Sequence, residues 1–220
     1  MKKAYFCIDG FTFKRISDFY KYEHRRRSRL NIAAMETFLR YEIERRFEWK
    51  SGLDHLEVEK HFYHPNESPQ RIHYRIEVEN AILKFERALT ESGYDMHYAQ
   101  YGSDFSPRPN ESIYSDWLIA KQLRKYDVFA ILTTQGQYTH LLRQNLMCEV
   151  PTMLIGWEAV CVNSSGEPSW WKTDKALINY ASTFCPLDRI LNKPDTGHPF
   201  ADLMFERVSL PRYPLNRRYG

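Results

Sequence analysis

The sequence has little of what marks secreted, zinc-binding or membrane proteins. Only 4 Cys occur, they lie far apart, and no two form a CxxC pair, which favours the reduced thiols of a cytoplasmic protein over disulfides or structural zinc. No run approaches the roughly 18 consecutive apolar residues that a membrane helix needs. The apolar run at the N-terminus is short and meets Asp9, so we predict a strand there rather than a secretion signal.

Glycine, proline and net charge are low as well. The 9 Gly and 11 Pro, with 43% hydrophobic and 27% charged residues, are typical of a globular protein rather than a fibrous or disordered one. A formal net charge of +3 is too small to indicate a nucleic-acid partner by itself. Aromatic residues, by contrast, reach 15%, and they suit both cores and base stacking. From the length we expect one domain over residues 1–190 and an irregular tail over residues 191–220.

Apolar runs that favour strands alternate along the chain with segments of helical periodicity. We predict strands over residues 4–8, 58–64, 94–101, 127–134 and 150–155, and helices over residues 30–47, 76–90, 113–124, 137–146 and 172–182. Such alternation is typical of βαβ units, whose strands are parallel and whose helices cover both faces of the sheet. The predicted fold class is therefore α/β, in three α/β/α layers around a mostly parallel sheet of about five strands.

Acidic and polar residues stand where ligands bind in such sheets, just beyond the carboxyl ends of the strands. Asp9 ends the first strand, and the segment from Thr133 to Gln137 ends the strand at residues 127–134. Asp116 falls in the first turn of the predicted helix over residues 113–124, which points towards the same edge. Two carboxylates from distant segments are the minimum for holding Mg²⁺ or Mn²⁺.

Three segments resemble one protein family. CIDGFTF, from Cys7 to Phe13, is similar to the opening strand motif of NYN domains, the LabA-like branch of the PIN-type ribonucleases. SDWLIAKQL resembles the family's helix motif, with Asp116 at its first aspartate, and ILTTQGQYTHLL occupies the place of its Ser-Gly-Asp-Ser-Asp motif. The resemblance extends over about residues 4–190 and implies a PIN-like fold, an RNA partner and a divalent ion that activates water for phosphodiester cleavage.

Several acidic positions of the family are neutral in this chain. Gln122, Gln135 and Gln137 stand where the resemblance implies aspartates, and Thr12 stands where the family usually has asparagine. Glutamine adds no negative charge and cannot act as a general base near neutral pH. The resemblance therefore implies Asp9 and Asp116 as the remaining catalytic and metal-binding pair, with Mg²⁺ or Mn²⁺ bound weakly or not at all.

A basic run, His24-Arg-Arg-Arg-Ser-Arg29, follows an aromatic cluster in what we predict to be the loop after the first strand. Basic residues beside aromatic ones suit phosphate contacts and base stacking. The candidate nucleic-acid-binding residues are Arg25, Arg26, Arg27 and Arg29 of this run, together with Thr12 and Thr134 near the strand ends. The alternative is a solvated face whose arginines pair with Glu23 or Glu36.

Three functions stay open at this point. The first is an RNA-binding protein with a weakened or lost ribonuclease site. The second is an active Mg²⁺- or Mn²⁺-dependent endoribonuclease that uses Asp9 and Asp116 with substitute ligands, for which Asp104 and Glu111 are the nearest acids. The third is a purely structural or protein-interaction module, with a homo-oligomer or another protein as partner, in which the basic run and the cleft have no nucleic-acid role. Asp9 could then simply cap a turn, and Asp116 could simply complement a helix dipole.

Overall fold

The computed structural model describes residues 1–49, 56–65, 76–98, 109–162, 168–192 and 198–207. In chain order its strands are β1 (Lys2–Asp9), β2 (Ser28–Leu30), β3 (Leu56–His64), β4 (Asp95–Tyr98), β5 (Val128–Leu132), β6 (Thr152–Gly156), β7 (Glu158–Val162), β8 (Pro168–Lys172), β9 (Thr183–Pro186) and β10 (Phe205–Arg207). Its α-helices are α1 (Gly10–Asp18), α2 (Met35–Arg46), α3 (Ile76–Glu91), α4 (Pro109–Leu123), α5 (Thr139–Met147), α6 (Lys175–Tyr180) and α7 (Leu187–Asn192).

The central sheet has six strands within these residues, in the order β4-β3-β1-β5-β6-β9, and every neighbouring pair is parallel. The chain starts in the middle at β1, builds outwards to β4, and then returns to build the other half from β5. The strand order therefore reverses between β1 and β5. Open parallel sheets bind ligands at such a switch point, beyond the carboxyl ends of the strands.

Burial explains why the middle strands form. Every residue from Ala4 to Asp9 is buried, and so is every residue of β5. A strand that is covered on both faces needs a continuous apolar run rather than an alternating one, and both segments have such a run. The sheet therefore has a layer of helices on each side.

The two layers of helices have separate apolar cores. Buried side chains of α1 and α2, among them Phe13, Ile16, Phe38 and Leu39, pack on one face of the sheet. Side chains of α4, α5 and α6 pack on the other face, where Trp117 donates a hydrogen bond from Nε1 to Oδ1 of Asn145 at 2.7 Å. The predicted three-layer α/β/α fold is confirmed, with six strands in the sheet rather than about five.

One predicted loop is a helix. The basic run does not follow the first strand directly, because α1 begins at the residue after Asp9 and continues into a π-helical turn over Phe19–Glu23. Buried Phe13, Ile16 and Tyr20 recur at helical spacing. This apolar face is short, and the polar residues between its members obscure it in the sequence.

Other boundaries also differ from the prediction. Helix α4 begins at Pro109 rather than near residue 113, so Asp116 lies in its middle and the expected first-turn position is wrong. Proline is favoured at the first position of a helix because an N–H group would have no intrahelical partner there.

The expected irregular tail is wrong at residues 205–207, which form β10 and pair antiparallel with β2. The last residues of the predicted strand over residues 94–101 lie outside the described part of the chain. None of the described helices is long and apolar enough to cross a membrane.

Candidate site at the switch point of the sheet

Asp9 joins the central strand to the first helix. Its side chain caps α1, because Oδ1 accepts a hydrogen bond from the backbone N–H of Phe11 at 3.1 Å. A carboxylate at this position satisfies one of the free N–H groups of the first turn. The backbone approaches β3 closely at Gly10, where an added Cβ would lie 2.5 Å from the carbonyl oxygen of Tyr63. Glycine therefore allows the strand to turn directly into the helix.

The second carboxylate oxygen of Asp9 accepts hydrogen bonds from residues on both sides of the switch point. Oδ2 accepts from Oγ1 of Thr12 at 2.8 Å, from Oγ1 of Thr133 at 2.9 Å and from Nε2 of Gln135 at 3.0 Å. Thr134 joins them, since its backbone N–H donates to Oγ1 of Thr12 at 3.3 Å. We call Asp9, Thr12, Thr133, Thr134 and Gln135 the switch-point cluster.

The electrostatics of Asp9 follow from burial among neutral partners. Its exposed fraction is 0%, and burial raises the pKa of its carboxyl above the ordinary value, although hydrogen bonds from Thr12, Thr133 and the backbone act to lower it. A carboxylate offers about four lone-pair sites. Asp9 receives four hydrogen bonds, one on Oδ1 and three on Oδ2. Oδ2 is therefore fully occupied, and the remaining site on Oδ1 is closed to solvent.

The two glutamines form a short chain that leads out from Asp9. The amide nitrogen of Gln135 faces Asp9, and its Oε1 accepts from Nε2 of Gln137 at 2.9 Å. Gln137 itself is exposed. The side chain of Gln135 thus places a neutral donor against the carboxylate of Asp9. A neutral donor does not offset the negative charge of Asp9 as a cation would.

Asp116 belongs to a different hydrogen-bond network. Its Oδ2 accepts from the hydroxyl of Tyr63 at 3.1 Å and lies 3.1 Å from Nδ1 of His97, whose Nε2 is 3.0 Å from Nδ1 of His61. We call these residues the Asp116 cluster. Partial burial acts to raise the pKa of Asp116, but the hydrogen bond and charge of His97 outweigh it, so that the pKa is lowered. Because side chains alternate along a strand, the sequence places His61 and Tyr63 on the same face of β3. The contact between His61 and His97 depends on the pairing of β3 with β4, which was not predicted from the sequence.

The structure brings together part of the predicted site. Thr12, Thr134 and Gln135 surround Asp9, and Gln137 contacts Gln135, whereas Asp116 shares no hydrogen-bond partner with Asp9 among the described residues. Gln122 is exposed and lies one residue before the end of α4, which leads to the start of β5 and hence to the opposite edge of the sheet. Asp104 and the side chain of Glu111 lie outside the described part of the chain. Within the described part, no group of three or more His, Cys, Asp or Glu is arranged to hold a metal ion.

The basic run is used partly to hold the C-terminal segment. Arg26 lies 3.1 Å from Asp202, with its guanidinium 4.5 Å from the ring centre of Phe205, and Arg29 lies 2.8 Å from Glu206. The alternative pairing with Glu36 is wrong, since that carboxylate pairs with Arg40 and Lys60. Arg27 donates to the carbonyl of Tyr22. Arg25 is exposed and has no ion-pair partner within the described residues.

Two exposed side chains beside the cluster were not predicted. Phe11 is 47% exposed, although it lies only two residues after Asp9. Arg15, one turn further along α1, places its guanidinium 4.5 Å from the ring centre of Trp171, whose Nε1 donates to Oγ1 of Thr134 at 3.1 Å. The sequence shows an aromatic residue directly after the end of a buried strand. Only the structure shows that the ring of Phe11 faces solvent.

Comparison with known proteins yields a fold and no function. No protein-family profile matches the chain, and no curated protein matches it. The fold is similar to the crystal structure of a protein of unknown function from Vibrio parahaemolyticus, with a TM-score of 0.54 and 13% sequence identity, over 85% of this chain and 93% of that chain. At this identity the likeness shows the fold alone, and it agrees with three α/β/α layers around a parallel sheet.

Proposed function

We propose that the chain is an NYN/PIN-like protein that binds single-stranded RNA on the exposed surface beside the switch-point cluster, with metal-dependent cleavage weakened or lost. The buried carboxylate of Asp9, which accepts four hydrogen bonds, carries this proposal. Mg²⁺ and Mn²⁺ need negatively charged oxygen ligands that are free to face the ion. Four donors occupy Asp9, so a dication would have to displace at least one of them and still find other charged ligands.

Gln135 supports the same conclusion. An aspartate there would set two carboxylates against each other, an arrangement that a bound cation stabilises. The glutamine amide instead donates directly to Asp9 at 3.0 Å. The residues of the cluster therefore do not fit a tightly bound divalent ion, and no step of a cleavage reaction is assigned to them.

Phe11 and Arg15 favour RNA as the partner. Single-stranded nucleic acid is bound by exposed rings on which bases stack and by cations that contact the backbone. Phe11 offers a ring that is 47% exposed at the edge of the cluster, and Arg15 lies one turn away on the same helix. Arg25 and Arg27, which are exposed and carry no carboxylate partner within the described residues, extend the basic surface.

Binding is tested by fluorescence anisotropy of a labelled single-stranded RNA of about 15 nucleotides, a length within the range of such sites. We expect affinity to fall steeply with salt concentration, and Phe11→Ala to weaken binding about tenfold, since one stacked base contributes about 1–3 kcal/mol. Leu146→Ala is the matched control, because Leu146 is 52% exposed near the end of α5 at the opposite edge of the sheet. Equal affinity of the wild-type and Phe11→Ala proteins, or no salt-dependent binding, would favour the protein-interaction module.

Cleavage is tested on the same RNA in the presence of MnCl₂. We expect the wild-type protein to produce no more product than Asp9→Asn does. Cleavage that requires Mn²⁺ and disappears in Asp9→Asn would instead establish the active endoribonuclease that uses Asp9 and Asp116. RNA binding without Asp9-dependent cleavage is the result that the proposed function requires.

A further inference from the structure

A cavity of about 300 Å³ lies beside the switch-point cluster but is formed by other side chains. Its walls come from α1, α3, β3 and the short sheet of β2 and β10. The first turn of α1 contributes to both places, with Thr12 in the cluster and Phe13 and Lys14 in the cavity. Nothing in the proposed function uses this space.

The interior of the cavity is apolar and largely aromatic. Phe13 and Phe85 each pack against Phe62, at ring-centre distances of 5.7 Å and 5.3 Å and in edge-to-face geometry. Leu30 adds an aliphatic wall. Small-molecule sites are typically concave, mostly apolar and supplied with a few polar groups that fix the orientation of the ligand. The volume lies at the lower end of the range for such sites, which is about 300 to 1,000 Å³.

His64 supplies a polar atom that the protein leaves without a partner. Its ring lines the cavity and stacks on Tyr98 at 5.0 Å, and its buried Nε2 has no hydrogen-bond partner among the described residues. Burial lowers the pKa of His64 to about 4, so the ring is neutral near pH 7, with one donor and one acceptor nitrogen. A buried polar atom without a partner costs free energy, and its presence beside a cavity points to a ligand group.

The rim of the cavity carries more positive than negative charge. Four cations line it, Lys14, Lys21, Arg29 and Lys84, against the three acids Asp18, Glu86 and Glu206. Lys14 pairs with Asp18 at 2.5 Å and Arg29 pairs with Glu206 at 2.8 Å. Lys84 is exposed and has no ion-pair partner within the described residues. Lys21 also lacks an ion-pair partner within the described residues, and so does Glu86, which accepts a hydrogen bond from Tyr98. The unpaired groups at the rim are therefore two cations and one acid, an excess of one positive charge.

From this combination we propose that the cavity binds a small amphipathic anion. An apolar ring system or chain would fill the space between the phenylalanines, and one carboxylate or phosphate would face Lys84. A polar atom of the ligand would meet Nε2 of His64 once the imidazole turns towards the cavity, because this nitrogen is closed to solvent in the described orientation. The inference does not depend on RNA binding, so the two proposals fail separately.

Two probes distinguish a ring from a chain: 2-naphthoate and decanoate, each titrated into the full chain and followed by calorimetry. We expect at least one of them to bind at a 1:1 ratio, and its neutral alcohol to bind about tenfold more weakly, because a charge-assisted contact contributes about 1.5–3 kcal/mol. Binding of naphthoate alone assigns an aromatic ligand, and binding of decanoate alone assigns an acyl chain. Saturable 1:1 binding of neither probe overturns the proposal.

Variants locate the binding. Lys84→Glu reverses the rim charge and should weaken binding about tenfold or more, whereas Lys125→Glu, at an exposed position after α4, is the matched control and should leave it unchanged. Ala81→Phe adds a ring at an exposed helix position that lines the cavity and should block it. Binding that is equal in the wild type and in both cavity variants places the probe elsewhere and rejects the site.

His64→Phe separates a ligand site from a packing defect. Removal of the unpaired nitrogen should raise the melting temperature, because a buried polar atom no longer lacks a partner. The same change should weaken probe binding. A variant that is more stable but binds the probe as tightly as the wild type would show that Nε2 of His64 takes no part in recognition and would remove this contact from the proposal.

Discussion

Asp9 and Asp116 approach the same part of the sheet but are stabilised by different chemistry. Tyr63 lies opposite Asp9 in the register of β1 and β3, and the hydroxyl of Tyr63 donates to Asp116. Asp9 is fully buried, and its hydrogen-bond donors are all neutral. Asp116 has a side chain that is 33% exposed and lies beside the imidazole of His97. A carboxylate in this fold can therefore be held inside the core by neutral donors alone, or at a partly exposed position between a hydroxyl and an imidazole.

The difference bears on which aspartate could exchange its partners for a ligand. Each donor to Asp9 is itself part of the fold: Thr12 and the N–H of Phe11 belong to α1, and Thr133 and Gln135 lie in the segment that follows β5. Replacing these contacts would disturb the join between the two halves of the sheet. Of the contacts of Asp116, Tyr63 is buried, but the side chains of Asp116 and His97 are 33% and 28% exposed, so that this side of Asp116 is open to solvent.

The largest expected contrast between the two aspartates is in stability. Asp9→Ala removes a helix cap, which contributes about 1 kcal/mol, and leaves three buried donors without an acceptor, at about 1 kcal/mol each. We expect the free energy of unfolding in urea to fall by about 3 to 4 kcal/mol. Asp116→Ala should cost less, about 1–2 kcal/mol, because it leaves one buried donor, the hydroxyl of Tyr63, without an acceptor, whereas water can reach the partly exposed His97. Equal losses in the two variants would remove the distinction between them.

Restoring acidic residues tests whether the glutamines replaced a metal site. Gln135→Asp loses a donor and sets a second carboxylate against Asp9, so in EDTA the variant should be less stable than the wild type by about 1–3 kcal/mol. Mn²⁺ should recover that stability, since a ligand at ten times its dissociation constant adds about 1.4 kcal/mol. The measurement is the melting temperature in EDTA and in MnCl₂.

Gln122→Asp is the matched control for this experiment. The resemblance also implies an acid at residue 122, but Gln122 is exposed near the end of α4 and away from the cluster. We expect Mn²⁺ to change the melting temperature of this variant by the same amount as it changes that of the wild type. If Mn²⁺ stabilises Gln122→Asp and not Gln135→Asp, it is wrong that residue 135, and not residue 122, lies where a metal ion could bind beside Asp9.

The sequence contains enough to predict the sheet and the place of Asp9, because continuous apolar runs identify buried strands and parallel strands end at one edge. It also predicts that Thr12 and Gln135 approach Asp9. The position of Asp116 in α4 was wrong, since Pro109 begins that helix four residues before the predicted start. The pairing of Asp116 with His97 and that of Arg26 with Asp202 join residues far apart in the chain. Such contacts depend on strand order and on the return of the C-terminal segment, which no local pattern encodes.

The smallest expected contrast is in the pH dependence of stability. The pKa of Asp9 is raised by burial, so the folded state holds its proton more tightly than the unfolded chain does. The part of Asp9's contribution to stability that depends on pH is therefore complete below the ordinary pKa and is lost as pH rises through the raised value. For Asp116 burial acts in the same direction, but His97 lowers the pKa, so its contribution is present above the ordinary pKa and is lost as pH falls through the lowered value.

Unfolding in urea at a series of pH values on both sides of the ordinary carboxyl pKa of about 4 measures both effects, because the pKa of Asp9 is raised and that of Asp116 is lowered. We expect the stability difference between wild type and Asp9→Asn to shrink as pH rises, and the difference between wild type and Asp116→Asn to grow. Added salt should flatten only the Asp116 curve, since the attraction between partly exposed groups is screened whereas the hydrogen bonds of buried Asp9 are not. Curves that slope in the same direction, or respond equally to salt, would mean that the two carboxylates share one kind of environment after all.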